Sequence, residues 1–378
     1  MRLNSNGIVG RRLAFGWVLL LAASACGNVG DIGQAASDPL LPGPYAVGVT
    51  SITFVDPARG RPLLTEIWYP ASDDARALAP SPITDFVDPA LAGLLEQSTV
   101  PLVAVRDAAI SPAGPFPLVA FSHGNGGVRF QNIFQVERLA SHGFIVVAPD
   151  HTGNTLFDIG ADQNSAANRP LDISFLYDVM TEETGDVGGP FAGWVDLAVP
   201  FGVTGHSFGA YTSFATASTD ARVGAAMPLA APGPISASYT APTFLMLATE
   251  DKTIGEGLNE AIRQAYTLLP GPRYLAEIVD AGHYSFTIAC LTGTGLGDED
   301  GCGESQRFGS GETFAFTPSE QVWAVTNAYS VAMFGRYLKG VEAYDETLES
   351  NLLPEIVRHS ADPRTGMALL AAPTRLTH

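Results

Sequence analysis

Seven histidines, many carboxylates and a serine with a glycine two residues to either side are the groups in this sequence able to do chemistry together. The serine lies in Gly205-His206-Ser207-Phe208-Gly209, a GxSxG segment. A short apolar run, Phe201 to Thr204, precedes it, and a helix-like stretch, AYTSFATAS, follows. A strand, a sharp turn and a helix lift a serine hydroxyl to the end of a sheet and aim helix N–H groups at a reacting carbonyl. Ser207 is therefore the expected nucleophile, suited to acyl transfer. A serine hydroxyl is weak at neutral pH and needs a neighbouring base. His123, His142, His151 and His206 precede or adjoin Ser207, and His378 is the last residue. His283, in Asp280-Ala-Gly-His283-Tyr-Ser-Phe286, follows an apolar run and is the expected base, ahead of His359 in the C-terminal tail.

A base of this kind needs an acid that holds its tautomer and stabilises its charged form. Thr243 to Ala248 reads as a strand and ends in Thr249-Glu250-Asp251-Lys252. Asp251 is the expected acid; Glu250 is its near rival, and Asp280 lies on the strand side of His283. Negative charge developing on the carbonyl oxygen also needs preset donors. The backbone N–H of Phe208 is one. The second falls in Ser122-His123-Gly124-Asn125-Gly126-Gly127, at Asn125 with Gly124 as the alternative. His123 and His206 read as structural, and His151 as a candidate to line the pocket. The acidic run Asp298-Glu299-Asp300 lacks the spacing of a calcium loop and reads as solvated. No CxxC, HExxH or complete GxGxxG motif occurs, so neither a metal nor a cofactor is expected.

The elements that must carry these residues alternate between apolar runs and helix-like segments. That is the mark of a mostly parallel sheet with helices on both faces. Strands are expected at Tyr45 to Val55, Leu63 to Tyr69, Phe116 to Phe121, Phe144 to Ala148, Phe201 to Thr204, Ala225 to Ala230, Thr243 to Ala248 and Tyr274 to Val279. Helices are expected at Gln131 to Ser141, Leu171 to Met180, Ser207 to Ser218, Glu256 to Leu268 and Glu320 to Leu338. Residues 72–115 and 153–199 break the rhythm as long insertions, the kind that form lids or binding walls or merely decorate a surface. One domain is expected over 43–340, with a C-terminal extension over 341–378.

A formal net charge of −19 disfavours a nucleic-acid partner, which needs clustered Lys and Arg. The first 25 residues read as an export signal: Arg2, Arg11 and Arg12, then a short apolar run from Leu13 to Ala25. Cys26 follows Ala23-Ser24-Ala25, in the manner of a bacterial lipobox, with Ala23 where Leu is more typical. Lipidation of Cys26 would attach the protein to a membrane; an ordinary cleaved signal would release it. Residues 26–42 read as a flexible tether. In an exported protein Cys290 and Cys302 are expected to pair across the Gly- and acid-rich segment between them.

Four segments, FPLVAFSHGNGG, LASHGFIVVAPDH, GHSFGA and DAGHYSF, together resemble the bacterial predicted dienelactone hydrolase proteins related to platelet-activating factor acetylhydrolase, over roughly residues 45–340. The chain is also similar to the cutinase and polyester hydrolase group. The resemblance implies an α/β-hydrolase fold, a carboxylic ester as substrate and no cofactor. It places nucleophile, acid and base on Ser207, Asp251 and His283, and the oxyanion amides on Phe208 and Asn125. True dienelactone hydrolases use cysteine, whereas this chain has Ser207.

Overall fold

The computed structural model describes residues 37–307 and 309–364. The expected signal, Cys26, most of the expected tether and His378 lie outside the described residues.

The chain opens with a long antiparallel pair, β1 (Ala46–Asp56) and β2 (Arg61–Ala71), followed by a two-residue strand, β3 (Val105–Arg106). Then come β4 (Leu118–Ser122), α1 (Ile133–Ser141), β5 (Ile145–Pro149), α2 (Ser165–Gly185), β6 (Phe201–His206) and α3 (Phe208–Thr219). The second half carries β7 (Val223–Leu229), β8 (Thr243–Ala248), α4 (Gly255–Leu268) and β9 (Arg273–Ile278). A small hairpin of β10 (Glu304–Gln306) and β11 (Thr313–Ala315) precedes α5 (Ser319–Lys339), α6 (Asp345–Glu349) and β12 (Val357–Asp362).

Ten strands form one sheet in the order β12-β9-β8-β7-β6-β4-β5-β2-β1-β3. Its middle, β5 to β9, is parallel throughout. Alternation along each strand sends side chains to opposite faces. Val119, Phe121, Val146 and Ala148 pack with α1 and α5 on one face. Leu118, Ala120, Ile145 and Val147 pack with α2, α3 and α4 on the other. Both faces are therefore covered, as a parallel sheet requires. This is the expected α/β-hydrolase architecture.

Two expectations change. The helix expected at Leu171 to Met180 starts at Ser165 and runs through Pro170. Buried contacts of Arg169 and Asp172, described below, hold the turn that the proline would otherwise weaken. The segment after 340 is also no mere appendage, because β12 pairs antiparallel with β9 along the edge of the main sheet. His359 lies in that strand and stacks on Tyr329.

Candidate active site

Ser207 occupies the turn between β6 and α3 with φ 57° and ψ −119°, a conformation costly for any residue with a Cβ. The neighbouring glycines make the turn possible. A Cβ on Gly209 would sit 1.8 Å from the Ser122 carbonyl oxygen, and one on Gly205 would sit 2.5 Å from the Gly209 carbonyl oxygen. The turn's own bonds run from Ser207 N–H to the Leu229 carbonyl and from Ala210 N–H to the Ser207 carbonyl. They leave the Phe208 N–H out.

Asp251 stands just past β8 and is fully buried. One carboxylate oxygen accepts the Ile254 N–H at 2.9 Å, and the other faces His283 Nδ1 at 2.6 Å. His283 sits in the turn after β9. Its Nδ1–H donates to Asp251, which directs Nε2 away from that carboxylate. Ser207 and His283 line the same cavity and are not hydrogen-bonded to each other. Such bonds often tighten only once substrate is bound. The rival acids are engaged elsewhere: Glu250 and Asp280 both accept from Arg307.

Asp300 is a finding that the reading of a solvated acidic run missed. It is buried, and its carboxylate joins two loops. One oxygen accepts the N–H groups of His283 (2.9 Å) and Lys252 (3.0 Å); the other accepts the N–H and hydroxyl of Thr253 (2.8 and 2.7 Å). The loop after Asp251 and the turn of His283 are thus tied to one anion. Asp300 lies two residues before Cys302, which the structure pairs with Cys290. That crosslink offered the only hint in the sequence that this loop folds back on the site.

His206 packs beside His283. Its Nε2–H donates to the His283 carbonyl at 3.0 Å, and its Nδ1 accepts from Gln131 at 2.9 Å. Burial, with His283 close by, drives the His206 pKa well below the ordinary value, so the ring is neutral beside His283. His123 is likewise buried and neutral, donating from Nδ1 to the Gly124 carbonyl. His151, a candidate to line the pocket, is fully buried and takes no part in lining the cavity, because Ser122 and Asp172 hold its two ring nitrogens. Among the described residues no group of His, Cys, Asp and Glu is arranged to hold a metal ion.

The cavity over Ser207 measures about 340 Å³, within the range of small-molecule sites. Asn125, Ser207 and His283 form its floor. Insertion 72–115 supplies Val87, Leu91, Leu94 and Leu95, and insertion 153–199 supplies Leu156 and Phe157. The first insertion is a fixed wall: Glu137 of α1 accepts the N–H groups of Val103 and Ala104, Arg129 donates to the Phe86 carbonyl, and Thr99 N–H bonds to the Leu291 carbonyl. Beyond Leu156 and Phe157, the second insertion mostly forms α2 and packs on the sheet.

Residues 119–297 match the family model described as PET hydrolase-like, and residues 33–156 match that of platelet-activating factor acetylhydrolase, isoform II. No curated protein matches the chain. A solved ferulic acid esterase from Streptomyces cinnamoneus is similar in fold, with a TM-score of 0.59 and 24% identity over 78% of this chain and 91% of that one. The chain thus has the α/β-hydrolase fold of a carboxylic-ester hydrolase, the class to which the matched families belong.

Proposed function

We propose that the protein cleaves apolar carboxylic esters through an acyl-enzyme on Ser207. The observation that carries this reading is the 2.6 Å contact between Asp251 and His283, set in one apolar cavity with a serine on a strained turn. His283 Nε2 takes the Ser207 proton as Oγ attacks the carbonyl carbon. The Phe208 and Asn125 N–H groups receive the oxyanion. His283 then hands its proton to the departing alcohol. Water, deprotonated by the same nitrogen, attacks the acyl-enzyme and releases the acid. Asp251 stabilises the imidazolium in both halves.

A polymeric or aggregated ester is a second reading. It is favoured by the rim of the cavity, where Leu94, Leu156, Phe157 and Leu296 are exposed side by side with the opening. Apolar surface of that kind suits a substrate presented as a surface. An acyltransferase would use the same groups with an alcohol in place of water.

The test is hydrolysis of p-nitrophenyl esters of increasing acyl length by the mature protein and by Ser207→Ala. Loss on the order of 10⁶-fold in turnover is expected for the variant. Equal activity in both proteins would remove Ser207 from the mechanism. Added alcohols separate hydrolysis from acyl transfer by their products, and polyester films test the second reading. For residues 1–26 we propose export and lipidation at Cys26, which mass spectrometry of the mature N-terminus decides.

A further inference from the structure

Behind the turn of Ser207 lies a fully buried arginine, Arg169, on α2. Burying a guanidinium is costly unless its charge is put to use. Burial lowers its pKa only to about 9, so it stays charged at neutral pH. Its hydrogen bonds go to neutral groups: Asn154 Oδ1 at 3.0 Å, Ser122 Oγ at 3.1 Å and the His123 carbonyl.

Two of these contacts lead toward Asn125, one of the two oxyanion donors assigned above. Asn154 passes the contact on, since its amide nitrogen donates to Asn125 Oδ1 at 2.8 Å. His123 ends two residues before Asn125 along the same loop. On its other side the guanidinium carbon lies 4.5 Å from the centre of the Phe208 ring, in cation–π range. One cation therefore touches Phe208 directly and Asn125 through a single side chain. Those are the two residues whose N–H groups serve as oxyanion donors.

A second buried chain fixes the cation. His151 Nδ1–H donates to Asp172 at 2.9 Å, which leaves Nε2 to accept the Ser122 hydroxyl at 2.9 Å. The Ser122 lone pairs then face Arg169. Arg59 and Arg61 in turn pair with Asp172. Ser122, His151 and Asp172 repeat the atom sequence of a catalytic triad. Ser122 is nonetheless fully buried, and its oxygen is occupied by Arg169.

We infer that Arg169 is a positioning residue for the oxyanion site, holding the Phe208 and Asn125 amides in register through its stack on Phe208 and its bond to Asn154. The inference rests on the assignment of those two amides above. A group of this kind acts on the transition state and leaves the binding of the intact ester alone. Its loss lowers kcat with little change in KM.

The experiment uses the full mature protein and three variants, Arg169→Met, Arg169→Lys and Asn154→Ala. For each, kcat and KM with a short p-nitrophenyl ester are measured. Inhibition by a trifluoromethyl ketone, which adds to the serine and forms an oxyanion, is compared with inhibition by the matching methyl ketone. The expected result is a fall in kcat on the order of 10–100-fold. Affinity for the fluorinated ketone falls in parallel, while KM and the methyl ketone constant stay within about threefold. Arg169→Lys recovers little, because an ammonium cannot both stack and fork. If Arg169→Met does not fold, Asn154→Ala decides by the same measures. A kcat within twofold of the parent, or an equal loss of affinity for both ketones, overturns the inference. Activity retained by Ser207→Ala would instead overturn the underlying mechanism, so the two failures are distinguishable.

Discussion

Exchanging Asp300 for asparagine keeps the shape of the side chain and removes its charge and one acceptor. The remaining oxygen can still take the N–H groups of His283 and Lys252. The new amide nitrogen then faces the Thr253 N–H, two donors head to head; the threonine hydroxyl alone can turn round to accept. Hydrogen bonds to a charged group are worth about 1.5–3 kcal/mol, and an orphaned buried donor costs about 1–3 kcal/mol. Losing one such bond, orphaning its donor and weakening the other two amounts to roughly 3–5 kcal/mol. For a chain of this size that is a melting shift of roughly 5–8 °C. The larger effect falls on catalysis. With the bridge loosened, the loops bearing Asp251 and His283 drift apart, and a misplacement of about 1 Å costs on the order of 100-fold. At 25 °C, where the variant stays folded, kcat on a p-nitrophenyl ester should fall about 10–100-fold with KM within about threefold. Calorimetry run beside the kinetics separates the two consequences. A lower melting temperature with unchanged kcat would show that Asp300 supports the fold alone, and the bridging argument would be wrong.

Breaking the Cys290–Cys302 bond by Cys290→Ser with Cys302→Ser frees the loop that carries Asp300; about 2–3 kcal/mol of stability and part of kcat should go together. Unchanged kcat in the folded double variant would refute the coupling. A second effect concerns Glu137, which tethers the pocket wall at Val103 and Ala104. Burial lifts its pKa from 4.5 to about 7, against the pull of those two N–H bonds. The folded chain thus keeps a proton that the unfolded chain has lost. The associated stability is complete below about pH 4.5 and disappears as pH rises through about 7, a change of roughly 3 kcal/mol. Urea unfolding at pH 5 and pH 8 should show this slope, and Glu137→Gln should lack it. The same slope in both proteins would count against the shift.

Local chemistry made some of this site legible before any coordinates. The strand before Ser207, the glycines at 205 and 209 and the positions of Asp251 and His283 just past apolar strands are all encoded within a few residues. Hidden instead were groups whose partners lie far along the chain. Asp300 reads as solvent-facing because its neighbours are glycines and acids, yet its four donors come from residues 252, 253 and 283. Arg169 sits before a proline, where a helix is expected to begin rather than continue. His151 looks like a pocket residue by its place after β5, and only the buried Ser122 and Asp172 disclose otherwise.

The edge strand β12 has a consequence in time rather than in space. It covers β9, the strand that leads to His283, and the register joins Val357 to Ile278 across nearly eighty intervening residues. As a chain is made or threaded from its N-terminus, every other strand of the main sheet is available before this one. Until residues 357–362 arrive, β9 presents a bare row of N–H and C=O groups, the kind of edge that recruits other chains. Closing so long a loop is slow compared with local pairing. The last step in completing the sheet is therefore also the step that seals this edge, and a chain ended at residue 340 would never reach it.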